Sequence, residues 1–311
     1  MFKMRCARAG FLNLILTLAA IAQSIRPAIL SRTAEEADVF QQNAPKVLTQ
    51  ETLEQRAKLP PSRFHPRIGQ TAVPSPGPRL QVREIVSEYT VGTLRNSASR
   101  DLLEFRQLIS VDGRKIQSAE SARHALSLGM NSADERVRKR MLEDFAGNGL
   151  VDVATEYALI LLAFTQRGQQ QMTFGPAVEY RLGADDALVV PWQQTSAASG
   201  ELEFHGKEVT RRALQGFLWV RKSDGLPLRI SAWAEHLDAK TRIRDEATVE
   251  YVLSPHGFLT PASVVHRHYV DGQVATENLY RYEPFRLFAA DTDIKFTDVP
   301  DPATLPGPIK K

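Results

Sequence analysis

Two of the seven histidines, His266 and His268, stand two residues apart in a segment that alternates like a β-strand. Residues at i and i+2 of a strand project from the same face, as two imidazole ligands of one metal ion would. The metallo-hydrolase pattern H-x-H-x-D-H requires an acid at its fifth position and a histidine at its sixth, where this chain has Val270 and Asp271. A metal-dependent hydrolase using His266 and His268 is therefore kept only as an alternative. The simpler interpretation is a pair of ordinary half-buried strand histidines.

Other signatures of catalysis are absent from the sequence. It has no G-x-S-x-G elbow, no H-E-x-x-H helix, no G-x-x-x-x-G-K phosphate loop and no G-x-G-x-x-G turn. The acidic pairs Asp185-Asp186 and Asp291…Asp293 could bind calcium or form a carboxylate dyad, but both lie in turn-like segments where solvated aspartates are common. We therefore predict no catalytic residue and no cofactor, and favour a protein that is not an enzyme.

Aromatic side chains suggest a different kind of site. Phe217 and Trp219 share one face of a predicted strand, Trp233 comes from the next strand, and Tyr251 follows further along. A plain hydrophobic core would account for them. A curved sheet lined with aromatic rings and partly closed by a helix could equally hold an apolar ligand. The predicted ligand-binding residues are these four.

The net charge of +3 comes from the N-terminal segment. Three of the 39 basic residues lie within residues 1–22, which contain no acid, so the rest of the chain has 36 basic and 36 acidic residues. A balanced chain disfavours nucleic-acid binding by phosphate neutralisation. The only cysteine, Cys6, lies in the same segment, so a processed chain would have no disulfide and no thiolate site.

Residues 1–22 have the layout of a secretory signal peptide. A basic start is followed by an apolar run over residues 9–22 that ends in Ala20-Ile21-Ala22, a small-x-small cleavage pattern. Fourteen residues are too few for a spanning helix of about 20 residues. An uncleaved anchor and a buried core helix are the alternatives. We expect a periplasmic or secreted protein with no transmembrane segment in the mature chain.

The remaining chain divides by composition. Residues 23–78 show little sustained pattern and become rich in proline, which predicts a disordered arm, and residues 299–311 predict a disordered tail. The folded domain is predicted over residues 79–298.

Within that domain, helical patterns precede a run of strands. Short helices are predicted over 118–128, 133–146 and 152–164, and the part of the third helix at Tyr157–Phe164 is apolar all round, which predicts that it is buried on most sides. Period-two alternation then predicts strands joined by hairpins at 171–181, 187–194, 200–206, 213–222, 226–236, 242–254, 261–270 and 273–283. Hairpins without intervening helices form antiparallel sheets. The predicted fold class is therefore α+β, a curved antiparallel half-barrel of meander hairpins packed on about three helices.

The hairpin Gly216-Phe217-Leu218-Trp219-Val220 followed by Asp224-Gly225-Leu226-Pro227-Leu228-Arg229-Ile230 resembles one in proteins with the LolA/LolB-like lipoprotein-carrier fold. Segments 103–116, 249–251, 257–261 and 280–285 resemble a group of uncharacterised exported bacterial proteins. The resemblance implies an antiparallel half-barrel wrapped around helices. In the carriers, that cavity shields acyl chains.

Together these patterns predict an exported, non-catalytic protein that binds a lipid or another apolar small molecule in the concavity of its sheet. One alternative is an interaction or scaffold module of the cell envelope, with a filled core and with arms 23–78 and 299–311 that recruit an envelope protein partner. The second alternative is the metal-dependent hydrolase.

Overall fold

A computed structural model describes residues 27–61, 77–93, 102–132, 135–153, 156–196, 201–205 and 208–288. Helix α1 covers residues 27–43 and continues into a 3-10 turn at Ala44–Lys46. The later helices are α2 (Ala119–Ser132), α3 (Glu135–Gly147), a 3-10 helix at Tyr157–Phe164 that we call the central helix, and α4 (Gln166–Gln169). No helix among these described residues is both long enough and apolar enough to cross a membrane.

Fifteen strands form the rest of the described structure. They are β1 (Val47–Leu59), β2 (Arg79–Thr93), β3 (Leu102–Val111), β4 (Arg114–Lys115), β5 (Met172–Phe174), β6 (Val178–Leu182), β7 (Asp185–Gln194), β8 (Glu201–His205), β9 (Glu208–Arg212), β10 (Gln215–Arg221), β11 (Pro227–Asp238), β12 (Thr241–Leu253), β13 (Leu259–Val270), β14 (Gln273–Tyr282) and β15 (Arg286–Leu287).

Thirteen of these strands form one open antiparallel sheet, and β8 and β9 pair separately. The order across the sheet is β4-β3-β2-β1-β14-β13-β12-β11-β10-β7-β5, with β15 beside β1 and β6 beside β7. The predicted α+β fold with a curved antiparallel sheet is confirmed. The predicted strand 171–181 is divided into β5 and β6, and the segment 101–111 contributes the strand β3.

The prediction of a disordered arm over residues 23–78 is wrong for residues 27–61. They form α1 and β1, and β1 pairs with both β2 and β14 in the middle of the sheet. The face of β1 that points into the core includes Thr49, Glu51 and Gln55, each at most 1% exposed. Because these buried residues are polar, the strand lacks the alternation of apolar residues that predicts one. The predicted signal peptide and tail lie outside the described residues.

The two faces of the sheet are covered differently. The face that bears the main hydrophobic core, which we call the concave face, packs on the central helix, whose Leu161 and Phe164 are fully buried, and on α1 through Ala37 and Phe40. The burial predicted for the helix 152–164 is confirmed for most of Tyr157–Phe164, which form an eight-residue 3-10 helix, whereas Asp152 is exposed. Helix α2 covers the opposite, convex face of β2 and β3, where Leu126 packs with Leu103 and Phe105.

Candidate functional site

The structure brings three of the four predicted ligand-binding residues together. On β10, Leu218 and Val220 are buried in the core. Phe217 and Trp219 alternate with them along the strand and therefore point to the convex face. Trp233 is opposite Gln215 in the β10–β11 pairing and lies on the same convex face. Tyr251 lies on the concave face, so the four residues do not line one cavity.

Tyr251 connects the sheet to the central helix. Its hydroxyl donates to the Ala158 carbonyl and accepts from the Leu161 amide, both at 3.2 Å. Burial raises the pKa of this phenol far above its usual range, so it stays neutral and keeps both roles. The central helix also contacts β3, β11 and β13. This part of the concave face is therefore occupied by the chain itself.

On the convex face, Phe217, Trp219 and Trp233 form an aromatic row. The Phe217 ring lies 5.8 Å from Trp219 and 5.6 Å from Trp233, within the range of favourable ring pairs. Guanidinium groups lie over the outer two rings, Arg229 at 5.5 Å from the Trp219 centroid and Arg244 at 4.9 Å from that of Trp233. Cation–π attraction of this kind fixes the ring positions.

Glutamates hold these two arginines in place. Arg229 Nε donates to Glu250 at 2.6 Å. Arg244 donates to Glu246 at 2.6 Å and to Glu235 at 3.0 Å. Since each guanidinium is already paired, the row presents rings rather than free charge to a ligand.

One end of the aromatic row borders a cleft of about 250 Å³. Its lining is Thr173, Gly175, Pro191, Trp192, Gln193, Gln215, Gly216, Phe217 and Trp233. Gly216 permits the close approach of β10 and β11, because a Cβ there would lie 1.9 Å from the Ser231 carbonyl oxygen. The cleft combines aromatic and proline surface with the amides of Gln193 and Gln215. Such a lining suits an apolar chain or ring that carries a hydrogen-bonding end.

His266 and His268 both lie on the concave face, as their spacing predicts. Rather than converging on an open position, they share one carboxylate: Asp245 Oδ1 is 3.3 Å from His266 Nε2 and 2.8 Å from His268 Nδ1. Burial alone would raise the pKa of Asp245, but hydrogen bonds from the two histidines lower it well below its usual range. Within the described ranges no group of three or more His, Cys, Asp or Glu residues is arranged to hold a metal ion.

The other ring nitrogen of His266 connects to a polar network under the central helix. Asn278 Nδ2 lies 3.1 Å from His266 Nδ1 and donates to the Asp152 carbonyl, and the ring of Tyr157 stacks on His266 at 5.2 Å. Gln55 Nε2 donates to Asn278 at 2.6 Å. These contacts fix the segment that leads into the central helix, which is a structural role.

Sequence reasoning missed a buried charge cluster on the concave face. Arg106 donates to both oxygens of Glu51 at 2.7 and 2.8 Å, and its Nη1 lies 2.6 Å from Glu104 at an angle too bent for a hydrogen bond. Tyr89 and Tyr280 flank the guanidinium at 5.0 and 5.4 Å. Burial raises the pKa of Glu51, and the attraction of Arg106 offsets this only in part. Alternating charged residues in β3 are typical of a solvent-facing strand, so no signal marked them as buried.

Comparisons with known proteins give one likeness. No protein family matches the sequence, and no curated protein matches it. Among solved structures, the chain is similar to that of a DUF1329 family protein from Desulfovibrio piger ATCC 29098, with a TM-score of 0.34 and 11% identity over 86% of this chain and 95% of that chain.

Proposed function

We propose that this is an exported, non-catalytic protein of the cell envelope that binds an apolar ligand in the convex cleft lined in part by Phe217 and Trp233. The observation that carries the proposal is the cleft itself, where two aromatic side chains and Pro191 meet two amides at the surface. Export is inferred from the basic and apolar layout of residues 1–22.

Exposure of an aromatic ring supports this site. Phe217 is 37% exposed although it lies within the sheet between two other rings. A ligand that covers it removes apolar surface from water, and each buried methylene contributes roughly 0.8 kcal/mol. A volume of about 250 Å³ is below the range of about 300–1,000 Å³ for drug-sized ligands, so we expect a single acyl-chain segment or one ring system.

The central helix fills part of the concave face, which also favours the convex cleft as the ligand site. The carriers that the sequence resembles hold acyl chains in their concavity. In this chain Leu161 and Phe164 fill that side, and Tyr251 ties the central helix to the sheet. A ligand on the part of the concave face formed by β11, β12 and β13 would have to displace the central helix, whereas the convex cleft is open to solvent.

The test is extraction and mass spectrometry of protein purified from its native compartment, followed by titration with a fluorescent fatty acid and displacement by oleate. We expect a bound apolar molecule and saturable binding. Phe217→Ala and Trp233→Ala should each weaken probe binding by about tenfold, equivalent to about 1.4 kcal/mol. Trp219→Phe is the matched control, because Trp219 belongs to the same row but does not line the cleft. No co-purified molecule and no displaceable binding would refute the proposal.

A second candidate, an interaction module with a filled core, is favoured by the packing of the central helix against β3, β11, β12 and β13. It predicts that partners are recruited by segments outside the described residues, 62–76 and 289–311. Pull-down from envelope extracts tests it, with the full chain compared to a variant in which residues 62–76 are replaced by a Gly-Ser linker of the same length and residues 289–311 are removed. Loss of a specific partner on truncation supports this candidate, and an unchanged partner set contradicts it. Deletion of 23–78 is unsuitable, because it would remove α1 and β1 from the domain.

A further inference from the structure

Strand β6 lies at an edge of the large sheet. It pairs with β7, and in the described part of the chain no other strand pairs with its outer edge. Val178 is 59% exposed and Tyr180 is 50% exposed. Exposed edge strands with apolar side chains are templates for pairing with another chain, and proteins usually protect them with short length, charged side chains, a proline or a bulge. Strand β6, with the sequence Val-Glu-Tyr-Arg-Leu, has no proline, and its two charges are of opposite sign, so they do not repel a second copy of the same strand.

The directions of the backbone amides and carbonyls show which residues of β6 can form hydrogen bonds with another strand at the open edge. The carbonyl of Asp186 accepts from the Lys222 amide at 2.8 Å, so the backbone of Asp186 points toward β10. Arg181 is opposite Asp186 in the β6–β7 pairing and therefore points its amide and carbonyl away from β7. Since these directions alternate along a strand, Glu179 also points its amide and carbonyl to the open edge.

The order of residues in β6 makes the strand complementary to itself. If a second copy of the strand runs antiparallel to the first and is centred on Tyr180, Glu179 of one copy lies opposite Arg181 of the other, and Val178 lies opposite Leu182. We propose that two copies of the chain pair through β6, antiparallel and centred on Tyr180, so that the two sheets join across a twofold axis.

In this register the open backbone groups form hydrogen bonds, the charged side chains form ion pairs, and the exposed apolar side chains are covered. Glu179 and Arg181 of opposite copies form the hydrogen-bonded pairs, with their outward amides and carbonyls exchanging both bonds. Their side chains form two ion pairs across the axis, one for each copy. Glu179 keeps its contact to Lys222 Nζ at 2.5 Å within its own chain. Slipping the register by two residues would remove both ion pairs, so the charges specify the alignment.

The apolar residues of β6 lie on the other side of the strand. Val178 is opposite Val189 of β7, and Val189 is opposite Trp219 of β10. In the dimer, Tyr180 of each copy meets Tyr180 of the other copy next to this surface. Self-pairing therefore covers the exposed Val178 and Tyr180 and joins the convex faces of the two copies.

Sedimentation equilibrium over a concentration series measures dimerisation, and charge-reversal variants of β6 test whether the proposed ion pairs contribute to it. The native chain should dimerise. Glu179→Arg and Arg181→Glu should each lower the association constant at least tenfold, because each places like charges opposite one another. An equimolar mixture of the two variants should recover dimerisation, since every charge of one variant then faces the opposite charge of the other across the axis. A native chain that is monomeric at all concentrations, variants that still dimerise, or a mixture that stays monomeric would overturn the proposal.

A crosslinking test reads the register directly. The central pair in this register is not hydrogen-bonded, with Cα atoms about 4.5 Å apart, which suits a disulfide. With Cys6→Ser to remove the only cysteine, Tyr180→Cys should form a covalent dimer under mild oxidation. Val178→Cys is the matched control, because the residue opposite it is Leu182. Equal crosslinking of both variants, or none with Tyr180→Cys, would contradict the register.

Discussion

The Tyr251 hydroxyl lies 3.2 Å from the Leu161 amide nitrogen and so bonds the middle of the sheet to the central helix. The same oxygen donates to the Ala158 carbonyl. Two backbone groups of a short 3-10 helix thus find their partner in one strand side chain. A tyrosine predicted to line a binding cavity therefore bonds the central helix to the sheet instead.

Tyr251→Phe removes both of these hydrogen bonds and keeps the ring. We expect it to lower the free energy of unfolding by about 1–3 kcal/mol, because a buried amide and a buried carbonyl lose their partner. Fatty-acid probe binding should not change. Urea denaturation measures the stability, and Tyr269→Phe on the neighbouring strand serves as the control. A stability equal to that of the control would contradict this role.

Gly216→Ala should destabilise the β10–β11 pair and the cleft that it borders. The new Cβ would lie 1.9 Å from the Ser231 carbonyl oxygen, so the two strands must separate. We expect a loss of about 1–3 kcal/mol in thermal or urea unfolding, the usual cost of overpacking. Gly147→Ala is the control, since its Cβ would meet nothing within 4 Å. An unaltered stability of the Gly216 variant would refute the close approach.

The buried cluster of Glu51, Arg106 and Glu104 predicts a pH dependence of stability. Two carboxylates face one guanidinium, and burial raises the pKa of Glu51 above its ordinary value of 4.5. Its contribution to stability is complete below pH 4.5 and is lost as the pH rises through the folded-state pKa. We expect Glu51→Gln to remove this loss.

The measurement is urea denaturation of both forms from pH 4.5, the ordinary pKa of a glutamate, to pH 8. The stability of the native chain relative to Glu51→Gln should fall across this interval. Glu54→Gln, on the opposite face of β1, should follow the native chain. A difference between the native chain and Glu51→Gln that does not vary with pH would show that Glu51 titrates normally.

The stability that Asp245 contributes should depend on pH in the opposite sense. Burial raises the pKa of Asp245, but hydrogen bonds from His266 and His268 outweigh this and lower it, so the ionised form stabilises the fold above the unfolded value of 3.8, and the contribution is lost progressively as the pH falls from there through the folded-state pKa, which lies well below the usual range. Asp245→Asn should cost about 1–3 kcal/mol at pH 7 and measurably less at pH 3. Acid unfolding followed by circular dichroism checks the sign. An equal cost at both pH values would contradict it.

Sequence patterns predicted β7 and β10 to β14 well because the buried sides of these strands are mostly apolar, whereas they predicted no strand at β9 and joined β5 and β6 into one. Leu218, Ile230 and Val249 mark the core by simple alternation, and glycine turns separate the hairpins. The same reasoning failed for β1. Its core-facing Glu51 and Gln55 are partnered by Arg106, Asn278 and the Val151 backbone, groups distant in the sequence.

The candidate site was predicted only in part, because contacts between residues distant in the sequence decide which face of the sheet is covered. Alternation places Phe217 and Trp219 on one face, but it does not say which face meets the helices. That depends on Leu218 and Ile230 packing against the core, which leaves the aromatic row on the convex side. Alternation also places Tyr251 on the same face of β12 as the buried Ala247 and Val249, but it does not say that the central helix occupies that face.

Photo-crosslinking tests the central claim most directly, because it reports which face of the sheet meets the ligand. A fatty acid that carries a diazirine is bound, irradiated and mapped by peptide mass spectrometry, with excess oleate as competitor. We predict oleate-sensitive adducts that tandem mass spectrometry locates at Phe217 and Trp233 themselves, because any peptide that contains one of them also contains core-facing residues such as Leu218 or Ala232. Adducts confined to Tyr157–Phe164 or to other concave-face residues, or labelling that oleate does not reduce, would contradict a ligand site in the convex cleft.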